Sequence, residues 1–141
     1  MIRTVLRRTS IGLDANRTTL LLAVLEKRVG LQLLADDVFV SAAGGLEVTE
    51  PAADLGVAAA VASSFRNRPL PAHTAVFGEV GLAGEIRAVS QSALRVREAA
   101  QMGFRRCVVA EGNCAPADAP AGMEIVPVKT VGEALEQLIA W

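Results

Sequence analysis

Residues 52–65, with the sequence AADLGVAAAVASSF, form a helical segment that is apolar on nearly every side. A helix without a polar face is stable only when other elements surround it, so this segment is predicted to lie inside the fold. Its many small residues let those elements approach closely. Hydrophobic residues make up 52% of the 141-residue chain and aromatic residues only 4%. Alanine, valine and leucine therefore have to fill the core of one compact domain.

Strands and helices alternate around this buried segment. Part of residues 5–13 reads as a strand, with Val5, Ile11 and Leu13 as its apolar positions. The other predicted elements are a helix over about 17–28 that Asp14 or Asn16 caps and Gly30 stops, a strand around 38–41, strands on both sides of a glycine turn over 74–89, a helix over 92–102, strands over 105–110 and 123–128, and a last helix with a capping box at 130–133. This order predicts an α/β domain with a mixed sheet.

Charge and reactive groups exclude several classes of protein. Lys plus Arg is 14 and Asp plus Glu is 15, so no global basic field attracts nucleic acid, and such a surface needs a local arginine cluster or several copies of the chain. His73, Cys107 and Cys114 are too few for a metal site. The glycines of 78–84 lack the lysine and spacing of a nucleotide-binding loop and predict a tight hairpin. No apolar run is long enough to span a membrane, and a reduced, cytoplasmic compartment is expected.

Three sets of side chains are candidates for chemistry. Ser63 or Ser64 with Lys27 would make a Ser-Lys peptidase, although backbone hydrogen bonding and a solvated helix end are the simpler interpretations. Glu50 and Asp54 share the start of the buried helix, where capping explains them better than acid/base catalysis. The arginine pairs, among them Arg7-Arg8, Arg66-Arg68, Arg95-Arg97 and Arg105-Arg106, suit either surface ion pairs or phosphate contacts.

Several motifs resemble a known family. The segments GLDANR, GGLEVTEPAADL, SSFRNRPLP, FGEVGLAGEIR and REAAQMGFRR are similar to the C-terminal, Lon-protease-like domain of the bacterial RadA (Sms) family of DNA repair proteins. The resemblance covers nearly the whole chain. It implies a Lon proteolytic-domain-like fold of the ribosomal protein S5 domain 2-like class, with the domain at residues 13–141 and residues 1–12 as a leading segment from a truncated parent.

The resemblance also implies a domain without protease activity. Active Lon proteases carry their serine in a Gly-Pro-Ser-Ala-Gly motif, and the corresponding residues 50–54 put Ala52 at the nucleophile position. The region of the Lon lysine corresponds to residues 92–95, Ser-Ala-Leu-Arg, which contain no lysine. Alanine has no attacking atom, and arginine does not act as a neutral base near pH 7.

The family implies a role beside DNA. Its members resemble hexameric ATPases of DNA recombination that extend intermediates by branch migration, with ATP, Mg²⁺ and zinc sites in N-terminal parts and no cofactor or metal in this domain. We therefore expect self-assembly into a ring, contact with single-stranded or branched DNA, a recombinase as a further partner, and no membrane. By analogy Arg17 and Arg87 are the DNA-contacting residues, and reversing either charge should weaken DNA binding without unfolding the domain. A Ser-Lys peptidase and a pure protein–protein docking module are the alternatives.

Overall fold

The structure is a computed structural model that describes residues 8–33 and 36–140. Val5 of the first predicted strand and Arg7 lie outside the described residues. The elements are β1 (Arg8–Ile11), α1 (Ala15–Val24, continued by a π-helical turn over Leu25–Val29), β2 (Val38–Ser41), α2 (Asp54–Arg66, preceded by a 3-10 turn over Pro51–Ala53), β3 (Thr74–Phe77), β4 (Glu79–Val80), β5 (Ile86–Arg87), α3 (Ser92–Gln101), β6 (Arg106–Ala110), β7 (Glu124–Val128) and α4 (Val131–Ile139). Each predicted helix is present, and Asp14 is the N-cap of α1.

The strands confirm an α/β fold with parallel and antiparallel pairs, but the described residues form three sheets instead of one. β1 pairs with β2 and β3–β6–β7 form a second sheet, both parallel, whereas β4 and β5 make an antiparallel hairpin. Gly78 causes the division between β3 and β4. Its N–H donates to the carbonyl of Ala52 and its own carbonyl accepts from Leu55 N, at 2.9 and 3.0 Å. The backbone is thereby bonded to the start of α2 instead of to a neighbouring strand.

Helices cover both faces of the three-stranded sheet, as parallel sheets require. Val108 and Ala110 of β6 face the main core, where they pack with residues of α1, α2 and α4. Cys107 and Val109 face the opposite side, toward Val96 of α3. The sheet is therefore the middle layer of the domain.

Helix α2 is the central helix that its composition predicts. Leu55, Ala59 and Ala62 are completely buried. The prediction that nearly every side is covered is wrong for the C-terminal half, where Ala60, Ser64 and Phe65 are exposed. In this half the buried side chains, Val61 and Ala62, are confined to one side of the helix.

Both ends of α4 are held by side chains. At the start, the Thr130 hydroxyl accepts from Glu133 N at 3.1 Å, while the Glu133 carboxylate accepts from Lys129 N at 3.0 Å. At the end, Arg68 donates to the carbonyls of Ile139 and Ala140 at 3.0 and 3.1 Å, and Arg106 donates to the carbonyl of Gln137 at 3.2 Å. These bonds satisfy carbonyls that have no partner within the helix.

The hairpin β4–β5 is attached to the segment that connects β7 to α4. Ile86 N donates to the carbonyl of Lys129 at 2.8 Å, and Val131 N donates to the carbonyl of Gly84 at 2.9 Å. The hairpin predicted from the glycine spacing is therefore confirmed. Across the described residues, no helix is long and apolar enough to cross a bilayer.

Candidate functional site

Arg17 is held against a buried carboxylate at the start of α2. The Asp14 cap accepts hydrogen bonds from Asn16 N and Arg17 N, which places Arg17 in the first turn of α1. Arg17 Nε donates to Asp54 Oδ1 at 2.9 Å, and a terminal guanidinium nitrogen pairs with Asp54 Oδ2. Val80 N donates to the same Oδ2 at 3.1 Å. The hydrogen bond to Asp54 raises the pKa of Arg17 above its ordinary value.

Arg87 lies on the other side of Glu79 from Arg17. Its guanidinium is 3.7 Å from Glu79 Oε1 and 3.2 Å from Glu85 Oε2, and Glu79 Oε2 is 4.0 Å from Arg17. The structure therefore brings together the two arginines that the sequence singles out. The pKa of Glu85 is lowered below its ordinary value. The main cause is a hydrogen bond from the backbone N–H of Glu85 to its own carboxylate, and further bonds come from Arg87 and Ala83 N.

The two arginines differ in how accessible their guanidinium groups are to a ligand. Arg17 is 36% exposed and is engaged by Asp54, which is itself only 4% exposed. Arg87 is 56% exposed and its acidic partners lie at the surface. A phosphate can compete with such solvated partners at little cost, because exposed ion pairs contribute little free energy. Arg87 is thus the more available phosphate ligand.

The nucleophile position predicted from the family lies at the wall of a small cleft. Ala52 is buried, and its carbonyl accepts from Gly78 N at 2.9 Å. The cleft encloses about 230 Å³ and is lined by Glu50, Ala52, Glu79, Ser90 and Arg95, among others. In place of the Lon lysine, residues 92–95 contribute an arginine that is not free. The Arg95 guanidinium pairs with the Glu50 carboxylate, and Arg95 Nε donates to the carbonyl of Ser90 at 2.9 Å.

The two acids at the start of α2 do not act as a pair. Glu50 bonds to Arg95, which lowers the pKa of the Glu50 carboxyl, whereas Asp54 bonds to Arg17 and Val80. Each carboxylate is therefore compensated by a different arginine. Neither has the unpaired, desolvated environment that raises the pKa of a general acid.

The other candidate catalytic residues are not assembled into a site. Ser63 Oγ donates to the carbonyl of Arg68, and no hydrogen bond joins a serine to a lysine within residues 8–33 and 36–140. The same residues contain no group of three His, Cys, Asp or Glu side chains that could hold a metal. Burial raises the pKa of Cys107 to about 11, which makes it an unreactive core thiol.

Two contacts of the site region have only a weak signal in the sequence. The role of Asp54 as partner of Arg17 is indicated only by an acid inside an otherwise apolar helix. Asn113 carries no signal, yet its side-chain amide accepts from Val89 N at 3.0 Å and donates to the carbonyl of Val89 at 2.8 Å. These bonds join the loop after β6 to the segment that leaves the hairpin.

This arrangement of a hairpin, a central helix and a three-stranded parallel sheet has known relatives. A family model described as subunit ChlI of Mg-chelatase matches residues 15–113, and the chain belongs to this family. The match begins at α1 and ends in the loop after β6, so it includes Arg17, Asp54, Glu79 and Arg87.

Bacterial RadA proteins are among the relatives of this chain. The chain is similar to the DNA repair protein RadA of Escherichia coli, with 52% identity over 129 residues, and to that of Pseudomonas aeruginosa, with 48% identity over 132 residues. RadA of Halalkalibacterium halodurans is 48% identical over 130 residues. The alignments cover 92–94% of this chain and 28–29% of those proteins, and the region matched is the C-terminal part of RadA. The resemblance to RadA is therefore confirmed.

Proposed function

We propose that this chain is a noncatalytic, Lon-like domain of a DNA repair protein, which supports ring assembly and positions DNA during branch migration. The observation that carries the proposal is the composition of the cleft beside Ala52. Its wall offers a methyl group at the nucleophile position and a guanidinium engaged by Glu50 where a lysine would be needed. Proteolysis through a Ser-Lys dyad requires a hydroxyl and a neutral amine in contact. The described residues that line this cleft include one serine, Ser90, but no lysine.

The exposure of Arg87 on the hairpin supports the DNA-positioning part of the proposal. Arg87 projects beside Glu79 and Glu85 and remains more than half exposed. One such arginine gives little affinity, but a ring places a copy from each subunit around the same strand. Each phosphate contact then adds affinity and salt dependence without sequence preference. In this proposal Arg87 contacts phosphate directly. Arg17 does not contact DNA but holds Asp54, which in turn fixes Val80 of the hairpin.

The DNA-positioning role is tested by neutralising Arg87. We expect Arg87→Gln to weaken the binding of labelled single-stranded DNA, measured by fluorescence anisotropy at several salt concentrations. The plot of log affinity against log salt should become less steep by about one for each phosphate that is no longer neutralised. Arg66→Gln removes the same charge at the opposite end of α2 and is the matched control. Binding of Arg87→Gln equal to that of the unaltered chain would show that Arg87 does not contact DNA.

The absence of proteolysis is tested separately. The chain should remain unlabelled by a serine-reactive fluorophosphonate under conditions that label an active serine protease in the same tube. Labelling of Ser63 or Ser64, located by mass spectrometry, would favour the peptidase alternative. An unlabelled chain that also fails to bind DNA at low salt would favour the docking module.

A further inference from the structure

We infer that the outer face of the β1–β2 sheet and the exposed side of α3 are two complementary halves of a contact between copies of this chain. This inference rests on the proposed ring role and names the surfaces that would form it. The first surface, called the sheet face, consists of Ile11 and Phe39 of the strands together with Leu46 of the connection that follows β2. The second, called the α3 face, consists of Leu94 and Met102.

The sheet face is apolar, and no element within residues 8–33 and 36–140 covers it as parallel strands are normally covered. Val38 and Val40 point inward and pack against the main core. Ile11, Phe39 and Leu46 are each about two-thirds exposed. A parallel sheet is usually covered on both faces, and clustered large apolar side chains on a surface indicate an interaction site.

The free edge of β2 adds unpaired backbone groups to the sheet face. Ala42 N donates to the carbonyl of Ile11 at 2.9 Å, so the alternation of a parallel ladder directs the backbone groups of Val38 and Val40 toward β1. Those of Phe39 and Ser41 therefore point away from β1. No other described strand pairs with that edge.

The α3 face consists of two exposed apolar side chains on the solvent side of the helix, on either side of Glu98. Val96 and Ala99 are buried against the sheet, whereas Leu94 is 44% and Met102 is 74% exposed. Their spacing, with Glu98 between them, places them on one side of the helix. A groove of about 450 Å³ runs alongside and is also lined by Phe104.

Charge favours contact between the two different faces over contact of either face with itself. Asp36 and Glu47 are exposed at opposite ends of the sheet face, and neither forms an ion pair with a described cation. Glu50, Arg95 and Glu98 line the groove of the α3 face, and Arg95 pairs with Glu50. Arg97 in α3 and Arg105 after it are exposed and without an acidic partner among the described residues, so three arginines stand against two glutamates in this region. Sheet face against sheet face would bring acids together. A contact between two different surfaces repeats from copy to copy, and it forms a ring when the rotation between copies closes.

Complementation between two variants tests this inference. Phe39→Glu damages only the sheet face and Met102→Glu only the α3 face, and both positions are exposed enough for the fold to persist, as circular dichroism can verify. In sedimentation velocity the unaltered chain should associate as its concentration rises, and each variant alone should remain monomeric. A 1:1 mixture should form dimers and nothing larger, because only one intact pair of faces is present. Leu82→Glu, on the equally exposed hairpin tip, should associate like the unaltered chain.

Each other result contradicts the inference in a distinguishable way. Association of both variants alone would show that the faces are wrong while the ring role stands. Loss of association in only one variant, without rescue by mixing, would indicate a symmetric contact of that face with itself. A chain that stays monomeric up to about 1 mM would overturn the inference and the ring role together. If Phe39→Glu unfolds, Ile11→Lys replaces it on the same face.

Discussion

Asp54 is a carboxylate that the fold keeps almost completely away from water. It can remain charged because Arg17 and the N–H of Val80 supply hydrogen bonds to its two oxygens. Arg17 is therefore a structural residue, whether or not DNA reaches it. The expectation that reversing its charge leaves the fold intact does not agree with this geometry, since a glutamate there would face a second, buried carboxylate.

Removal of Arg17 should destabilise the domain. We expect Arg17→Ala to lower the free energy of unfolding by about 2 to 3 kcal/mol, because Asp54 is left buried without its partner and Arg17 itself is partly exposed. The free energy of unfolding of Arg17→Lys should lie between those of the unaltered chain and Arg17→Ala, since a lysine cannot reproduce the bidentate contact. Urea unfolding measures both. Arg97→Ala should stay within about 0.5 kcal/mol, and an equally small effect of Arg17→Ala would contradict the structural role.

Cys107 should make stability depend on pH in the alkaline range. Burial raises its pKa from 9.0 to about 11, so the folded state holds its proton more tightly than the unfolded state. The resulting stabilisation is complete below about pH 9 and is lost as the pH rises through 11. Urea midpoints should therefore decrease over this interval, and less so in Cys107→Ala. At pH 8 a thiol reagent should modify Cys114 first, and rapid modification of both thiols in the native chain would contradict this assignment.

At the scale of elements, the turn from β1 to α1 is fixed by contact with the connection after β2. Gly12 has a φ of +76°, and a Cβ there would overlap the carbonyl oxygen of Leu46 and lie 2.9 Å from the Cβ of Ala42. Gly44 has nearly the same φ, +75°, but faces open space. Substitutions at Gly12 and Gly44 therefore distinguish the cost of a strained backbone conformation from the cost of a steric overlap.

Alanine at the two positions should have different effects. Gly44→Ala should cost about 1 kcal/mol, the strain of a left-handed alanine. Gly12→Ala should cost about 3 kcal/mol or more, because the Leu46 backbone also has to move. Thermal or urea unfolding of the two variants provides the comparison. Equal losses would mean that the approach of Leu46 to Gly12 does not constrain the fold.

Elements that depend on neighbours in sequence were predictable, and contacts between distant residues were not. The Asp14 cap, the Gly30 stop, the Thr130 cap and the hairpin follow from local chemistry, and all are present. The separation of β4 from β3 depends on Gly78 bonding to the start of α2, which no local pattern indicates. The pairing of Arg17 with Asp54 joins residues 37 apart. Family motifs pointed to Arg17 and Ala52, and Glu50 and Asp54 stood out at the start of the buried helix. The pairing of these carboxylates with Arg95 and Arg17 was not predicted.

At the scale of the whole molecule, DNA binding and self-assembly should rise together. The chain has a formal charge of -1, so a single copy offers too little positive field to retain DNA. We expect affinity for single-stranded DNA to increase over the concentration range in which sedimentation shows association, and to fall steeply between about 50 and 200 mM salt. Phe39→Glu should lose both properties. Tight DNA binding by a monomer would contradict this coupling.

The end of α4 depends on side chains contributed by distant parts of the chain. Its last carbonyls are bonded by Arg68 and Arg106, which precede their partners by 71 and 31 residues. The C-terminal turn therefore gains its stabilising bonds only after β6 and the loop that follows α2 have reached their native positions. During refolding this turn should be the last part of the helix to acquire protection from hydrogen exchange, and in the native state it should be the first to open when either arginine is removed.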